Sequence, residues 1–140
     1  MDIVKAKIYG QTLFEQLMQL VVKCPESFMY KDFKSQNEQE VYRIFSYEIP
    51  RTSEFDLPGA LDSRGTLFYV NLLDNTATLL ALPMRKFFSL GETVGSQKVD
   101  YKTAKRAFMK EDGSLLTTYI SPEDGKLKFK SQKQPTFKEY

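Results

Sequence analysis

Lys110 stands two residues before an Asp112-Gly113 pair, in the run Lys-Glu-Asp-Gly-Ser over residues 110–114. The composition narrows what such a lysine could do. The chain has no histidine, so the commonest general base and the commonest metal ligand are both missing. A Ser-His-Asp triad and a histidine-based zinc site are excluded. Cys24 is the single cysteine, which excludes an intrachain disulfide and a cysteine metal cluster. It follows an apolar helical pattern and reads as a small core or helix-end residue. A nucleophile must then be Ser, Thr, Lys, Asp or Tyr. Lysine attacks only as the neutral amine, so its pKa must fall from about 10.4. Burial or neighbouring positive charge lowers it. A short apolar strand ending at Lys110, if it lined a pocket, would hold the amine still and partly desolvated. Arg and Lys side chains in that pocket would depress the pKa further and bind a phosphate-bearing substrate. The plainer reading of the same five residues is a type I′ turn with Asp-Gly at its tip and Lys110 as a solvated strand residue.

The surrounding elements follow from periodicity and turn chemistry. Over residues 11–22, Leu13, Phe14, Leu17, Leu20 and Val21 recur at helical spacing, which predicts a helix packed on a sheet. Residues 24–40 are polar and read as a loop. Residues 41–50, β-branched and aromatic and ending at Pro50, read as a strand. Residues 51–65 carry turn residues and a Pro58-Gly59 pair and read as a loop or short helical turn. Residues 66–73 and 76–84 flank Asp74-Asn75 and predict a β-hairpin. Three short strands are expected at 106–109, 114–120 and 126–131, joined by Asp112-Gly113 and Asp124-Gly125 into an antiparallel meander. The class is α+β: a mainly antiparallel β-sheet with an N-terminal helix. The chain shows no internal repeat, low-complexity tract or domain linker.

The 140 residues are the size of one ordinary domain. Eleven Phe and eight Tyr can supply its core. Net charge is +2, short of the bias of a dedicated nucleic-acid binder, so phosphate binding must come from placement rather than total charge. The first ten residues lack the order of a signal peptide, and the longest apolar run is far short of a membrane span. A soluble, intracellular protein is expected.

Four stretches resemble one known family: residues 42–47 (YRIFSY), 57–68 (LPGALDSRGTLF), 82–92 (LPMRKFFSLGE) and 99–119 (VDYKTAKRAFMKEDGSLLTTY). Lys-x-Asp-Gly is the signature of the nucleotidyltransferases that include ATP- and GTP-dependent ligases and capping enzymes. An Arg-Gly before a strand, then Lys-Phe-Phe, then Lys-x-Asp-Gly-Ser, is similar to the RNA ligases of T-even phages, which repair tRNA. The resemblance covers the chain from its N-terminal helix almost to its end. It implies part of a ligase adenylation domain and a three-step reaction. The enzyme lysine attacks the α-phosphate of ATP and releases pyrophosphate. The AMP passes to a 5′-phosphate on RNA, and a 3′-hydroxyl then attacks that activated end. Mg2+ neutralises phosphate charge during the transfers.

Carried over by position, the resemblance makes Lys110 the adenylylated nucleophile. Asp112 orients the lysine or a metal-bound water, and Gly113 lets backbone approach the nucleotide. For both, the turn itself is the competing explanation. Arg64 matches an arginine that contacts ATP phosphate, a task suited to a fork of donors. Lys86 matches a lysine of the nucleotide site and Tyr47 a tyrosine near the triphosphate. Against these stand a surface arginine, a solvated lysine and a core tyrosine. Phe87 and Phe88 are assigned to packing. The resemblance leaves open which residues of this chain would hold a metal. It implies ATP and Mg2+ as cofactors and RNA ends, tRNA among them, as partners. The compartment would be cytoplasmic, the host cytoplasm for a phage protein.

The family's Lys-Ser-Lys-Gly stretch is replaced here by Lys130-Ser131-Gln132-Lys133. Gln132 takes the place of the second lysine, so either Lys133 substitutes through a bulge or the contact is lost. Lys130 aligns with the first lysine of that stretch, with a strand-surface charge as the plainer reading. Family members continue into motifs that hold ribose, adenine and metal, and these are not in the 140 residues. The resemblance therefore makes residues 1–140 the N-terminal portion of an adenylyltransferase domain, whether truncated or one piece of a split ligase. A second reading stays open: a non-catalytic nucleic-acid-binding or interaction module derived from that fold. Residues 126–138, which interleave Lys with Phe, would then lie along a phosphate backbone, unless they are only a solvated hairpin face.

Overall fold

The computed structural model describes residues 2–135. Helix α1 spans Ile3–Lys23 and so begins eight residues before the span of 11–22 expected from the apolar stripe. Asp2 caps it, its side chain accepting from the Lys5 amide at 2.8 Å. The first two turns lack a buried stripe, and Ile3, Val4 and Ile8 are exposed. Once nucleated, a helix propagates through such residues without tertiary support. Leu13, Phe14, Leu17 and Leu20 are buried. Cys24 ends the helix as its C-cap, its amide donating to the Leu20 carbonyl at 2.9 Å.

Strands β1 (Phe28–Lys34), β2 (Glu40–Tyr47), β3 (Leu67–Asn71) and β4 (Ala77–Ala81) form one antiparallel sheet in the order β1-β2-β3-β4. β1 corrects the expected loop at 24–40. As an edge strand it exposes Lys31, Asp32 and Lys34, and these charges hide the period-2 signal. Pairing with β2, Phe28 to Tyr47 through Lys34 to Val41, defines it. Asp32 also binds the buried Arg43 of β2 through both carboxylate oxygens, at 2.7 and 2.9 Å.

β2 is covered on both faces. Phe45 packs edge-on against Phe14 and Phe68 in the core beneath α1. Tyr42 and Ile44 point the other way and pack with Leu67, Ala81 and Tyr119. Burying such a side chain contributes about 1.5–3 kcal/mol. The loop between β2 and β3 forms two 3₁₀ turns, Thr52–Asp56 and Ala60–Asp62, as the turn residues imply. The first sends Phe55 into the α1-side core. The β3–β4 hairpin forms as expected, with Asn75 at φ 59°.

The second face is closed by a separate hairpin, β5 (Thr117–Ile120) with β6 (Leu127–Lys130), around Asp124-Gly125. Tyr42 donates to Glu123 at 2.6 Å and fastens this hairpin to the sheet. The meander has two strands rather than three. Residues 106–109 form no strand, and Phe108 and Met109 are exposed. Local β-propensity makes a strand only where a ladder partner exists, and among the described residues none reaches this stretch. Asp112-Gly113 therefore turns no hairpin, although Gly113 keeps a positive φ of 151°. Between β4 and β5 lie a short helix, α2 (Val94–Gln97), and a 3₁₀ turn at Tyr101–Thr103. The architecture is a mixed α+β fold: an N-terminal helix, a four-stranded antiparallel sheet and a two-stranded hairpin. No described helix is long and apolar enough to cross a membrane.

Candidate functional site

Tyr47, Arg64, Lys86, Phe87, Phe88, Ser89 and Lys110 line one open cleft of about 270 Å³. Four of the six residues expected at the nucleotide site thus meet there. Asp112 and Gly113 are exposed and are not among its lining residues. The lining holds three cations and no carboxylate. Ligand sites typically fall in the range of about 300–1,000 Å³, so this cleft can seat part of a nucleotide.

Each wall has a local cause. Tyr47 is the last residue of β2, and its ring meets Phe55 edge-on at 5.2 Å. Arg64 follows the second 3₁₀ turn. Its neighbour Gly65 donates to the Phe45 carbonyl at 2.9 Å, extending the β2–β3 pairing under the turn. Gly65 has φ 89°, and a Cβ there would stand 2.8 Å from the Gln132 carbonyl oxygen. Glycine thus lets the end of the second hairpin close on the Arg64 turn. The Arg64 guanidinium lies 5.2 Å from the Phe87 ring, and its buried Nη1 has no hydrogen-bond partner among the described residues. A buried cationic donor left over in this way is suited to an anion.

Lys86 comes from the irregular stretch after β4. Its amide donates to Leu61 at 2.9 Å. Its ammonium lies 5.1 Å from the Phe88 ring, which packs on against Phe55 at 5.5 Å. Phe88 packs as expected. Phe87 is more exposed than that assignment implied, because its ring supports Arg64 at the cleft rather than the core. Lys110 is exposed and lies outside any strand. The expected strand that would hold and desolvate it does not form, because residues 106–109 have no pairing partner among the described residues.

Lys130 is not a strand-surface charge: it is fully buried, whereas Leu127 is half exposed. The Lys130 ammonium donates to the Ser131 carbonyl at 2.6 Å. It would stand 3.3 Å from a Cβ on Gly65, so it lies under the Arg64 turn. Burial pushes its pKa down to about 8. Lys133 turns instead to Glu48, at 3.2 Å, and is not a cleft-lining residue. Residues 136–138 of the Lys-Phe tail lie outside the described residues.

The Asp62–Arg85 pair was also missed. Nothing in the sequence brings the two together. Asp62 is buried, and both its oxygens accept from Arg85, from Nε at 3.0 Å and from Nη2 at 3.0 Å. The carboxylate holds the Arg85 guanidinium above its ordinary pKa. Among the described residues, no group of three or more His, Cys, Asp or Glu side chains is gathered for a metal. The chain matches no family model.

Proposed function

We propose that this chain is the nucleophile-bearing portion of an ATP-dependent RNA ligase, acting through a lysine–AMP intermediate. The observation that carries the reading is the convergence of Arg64, Lys86 and Lys110 on one cleft with no carboxylate in its lining. These cations come from three separate stretches of the chain. The unpartnered Arg64 Nη1 adds a donor ready for phosphate oxygen.

In this reading Arg64 and Lys86 bind the phosphates of ATP, the substrate of the first step. Tyr47 and Phe87 offer ring surface and exclude water beside them. Lys110 Nζ, as the free amine, attacks the α-phosphorus. The P–N bond forms as the bond to pyrophosphate breaks, and the amine proton passes to solvent. A 5′-phosphate on RNA then takes the AMP, and a 3′-hydroxyl displaces it to form the phosphodiester. Mg2+ would arrive with the triphosphate and offset its charge, as this ion commonly needs only one or two carboxylates beside substrate phosphates. Asp112, two residues from the nucleophile, would orient the lysine or a metal-bound water.

The test is an intact mass after incubation with ATP and Mg2+, at neutral to alkaline pH because a phosphoramidate is acid-labile. A gain of one AMP is expected, and Lys110→Ala should lose it. An unchanged mass at saturating ATP would overturn the catalytic reading. The exposure of Lys110 outside any strand favours a second reading, a non-catalytic RNA-binding module. RNA affinity that survives Lys110→Ala, with no adenylylation of the parent, would select it.

A further inference from the structure

The two phosphate-binding stretches are held very differently. Arg64 sits on a firmly bonded turn. The Asp62 amide donates to Gly59 at 3.0 Å, Ser63 Oγ to Ala60 at 2.6 Å, and Thr66 Oγ1 to the Asp62 carbonyl. Lys86 lies on a stretch with no regular structure. Among the described residues, the 82–90 stretch is hydrogen-bonded to the body of the fold at two places. One is the Lys86 amide on Leu61; the other is the two-pronged Arg85–Asp62 pair.

We propose that the Asp62–Arg85 pair is a positioning element: it sets the separation of Arg64 and Lys86 so that both reach one phosphate chain. The proposal rests on the phosphate reading of the cleft. Asp62 lies two residues before Arg64, and Arg85 immediately precedes Lys86. The planar fork fixes both distance and orientation, which a lysine at position 85 could not reproduce. Asp62 also offsets the charge of Arg85, which would otherwise repel the neighbouring cations in sequence. An ordinary surface ion pair contributes little. This one has a carboxylate that is 4% exposed and a guanidinium that is 64% exposed. The anchor is therefore rigid on the Arg64 side, while Arg85 can be replaced with little loss of core packing. Without the fork, a single backbone hydrogen bond would hold the Lys86 stretch to the turn.

The experiment measures binding of inorganic pyrophosphate by calorimetry to the parent, Arg85→Met, Arg85→Lys and Asp32→Asn. Asp32→Asn breaks the comparable fork to Arg43 on the edge strand, four register positions from Tyr47, and controls for general destabilisation. Arg85→Met should weaken binding about tenfold, as expected when the displaced Lys86 loses one charge-assisted hydrogen bond to the ligand. Arg85→Lys should recover only part of that, and Asp32→Asn should stay within about twofold of the parent, below the tenfold step of 1.4 kcal/mol. Full recovery by Arg85→Lys would assign the effect to charge and overturn the positioning role. So would parental affinity in Arg85→Met, or equal weakening by Asp32→Asn. A parent that binds no pyrophosphate would overturn the phosphate reading itself, and the positioning role with it.

Discussion

Replacing Lys130 with methionine should remove a pH dependence that is built into the fold. Lys130 is fully buried. Its described partner is a neutral one, the Ser131 carbonyl at 2.6 Å, whereas the buried Arg43 has the Asp32 carboxylate. Burial lowers the Lys130 pKa from the ordinary 10.5 to about 8. That fall, from 10.5 to about 8, corresponds to about 3 kcal/mol. Below pH 8 both the folded and unfolded states hold the proton, and the folded state bears the full penalty of the buried charge. Between pH 8 and 10.5 the folded state releases its proton while the unfolded chain still binds one. Stability contributed by this site therefore rises with pH across that window and levels off above it. Methionine fills a similar volume and does not titrate. Urea unfolding of parent and Lys130→Met, followed by circular dichroism at several pH values, isolates the site because other titrations cancel in the difference. The parent should gain about 3 kcal/mol on the variant between pH 7 and 10.5. At pH 7 the variant should be at least as stable as the parent, since replacing an uncompensated buried charge is often stabilising. Parallel pH profiles, or a parent that loses ground as pH rises, would refute the reasoning.

Gly65→Ala should destabilise by about 2 kcal/mol or more in thermal or urea unfolding. The new Cβ would stand 2.8 Å from the Gln132 backbone oxygen, and the alanine would have to keep a φ of 89°. Because the same glycine carries the turn beside Arg64, pyrophosphate affinity should fall with it. Tyr42→Phe removes the donor to Glu123, at 2.6 Å, and should cost about 1 kcal/mol. Amide hydrogen exchange should then quicken in β5 and β6 more than in β2 and β3, and uniform quickening would contradict a local fastening role.

The sequence by itself determined the elements whose signal is local. Leu13, Phe14, Leu17 and Leu20 mark the buried face of α1 because one helical stripe faces the core. β2, β3, β4 and the Asp124-Gly125 hairpin were legible because β-branched and aromatic runs are bounded by turn residues. Arg64, Lys86, Tyr47 and Lys110 stood out through their resemblance to a ligase family, each with a plainer explanation beside it. Only tertiary structure brought those four to one cleft, because they come from separate stretches joined by sheet pairing and loop closure. Only pairing with β2 made a strand of 28–34, where surface charges cover the alternation. The lack of a ladder partner left 106–109 irregular and Lys110 exposed, although the local residues favour a strand. Lys130 and the Asp62–Arg85 fork belong wholly to this second group. A lysine becomes buried, or an aspartate finds its arginine, through long-range packing, and residue type and period carry no record of that packing.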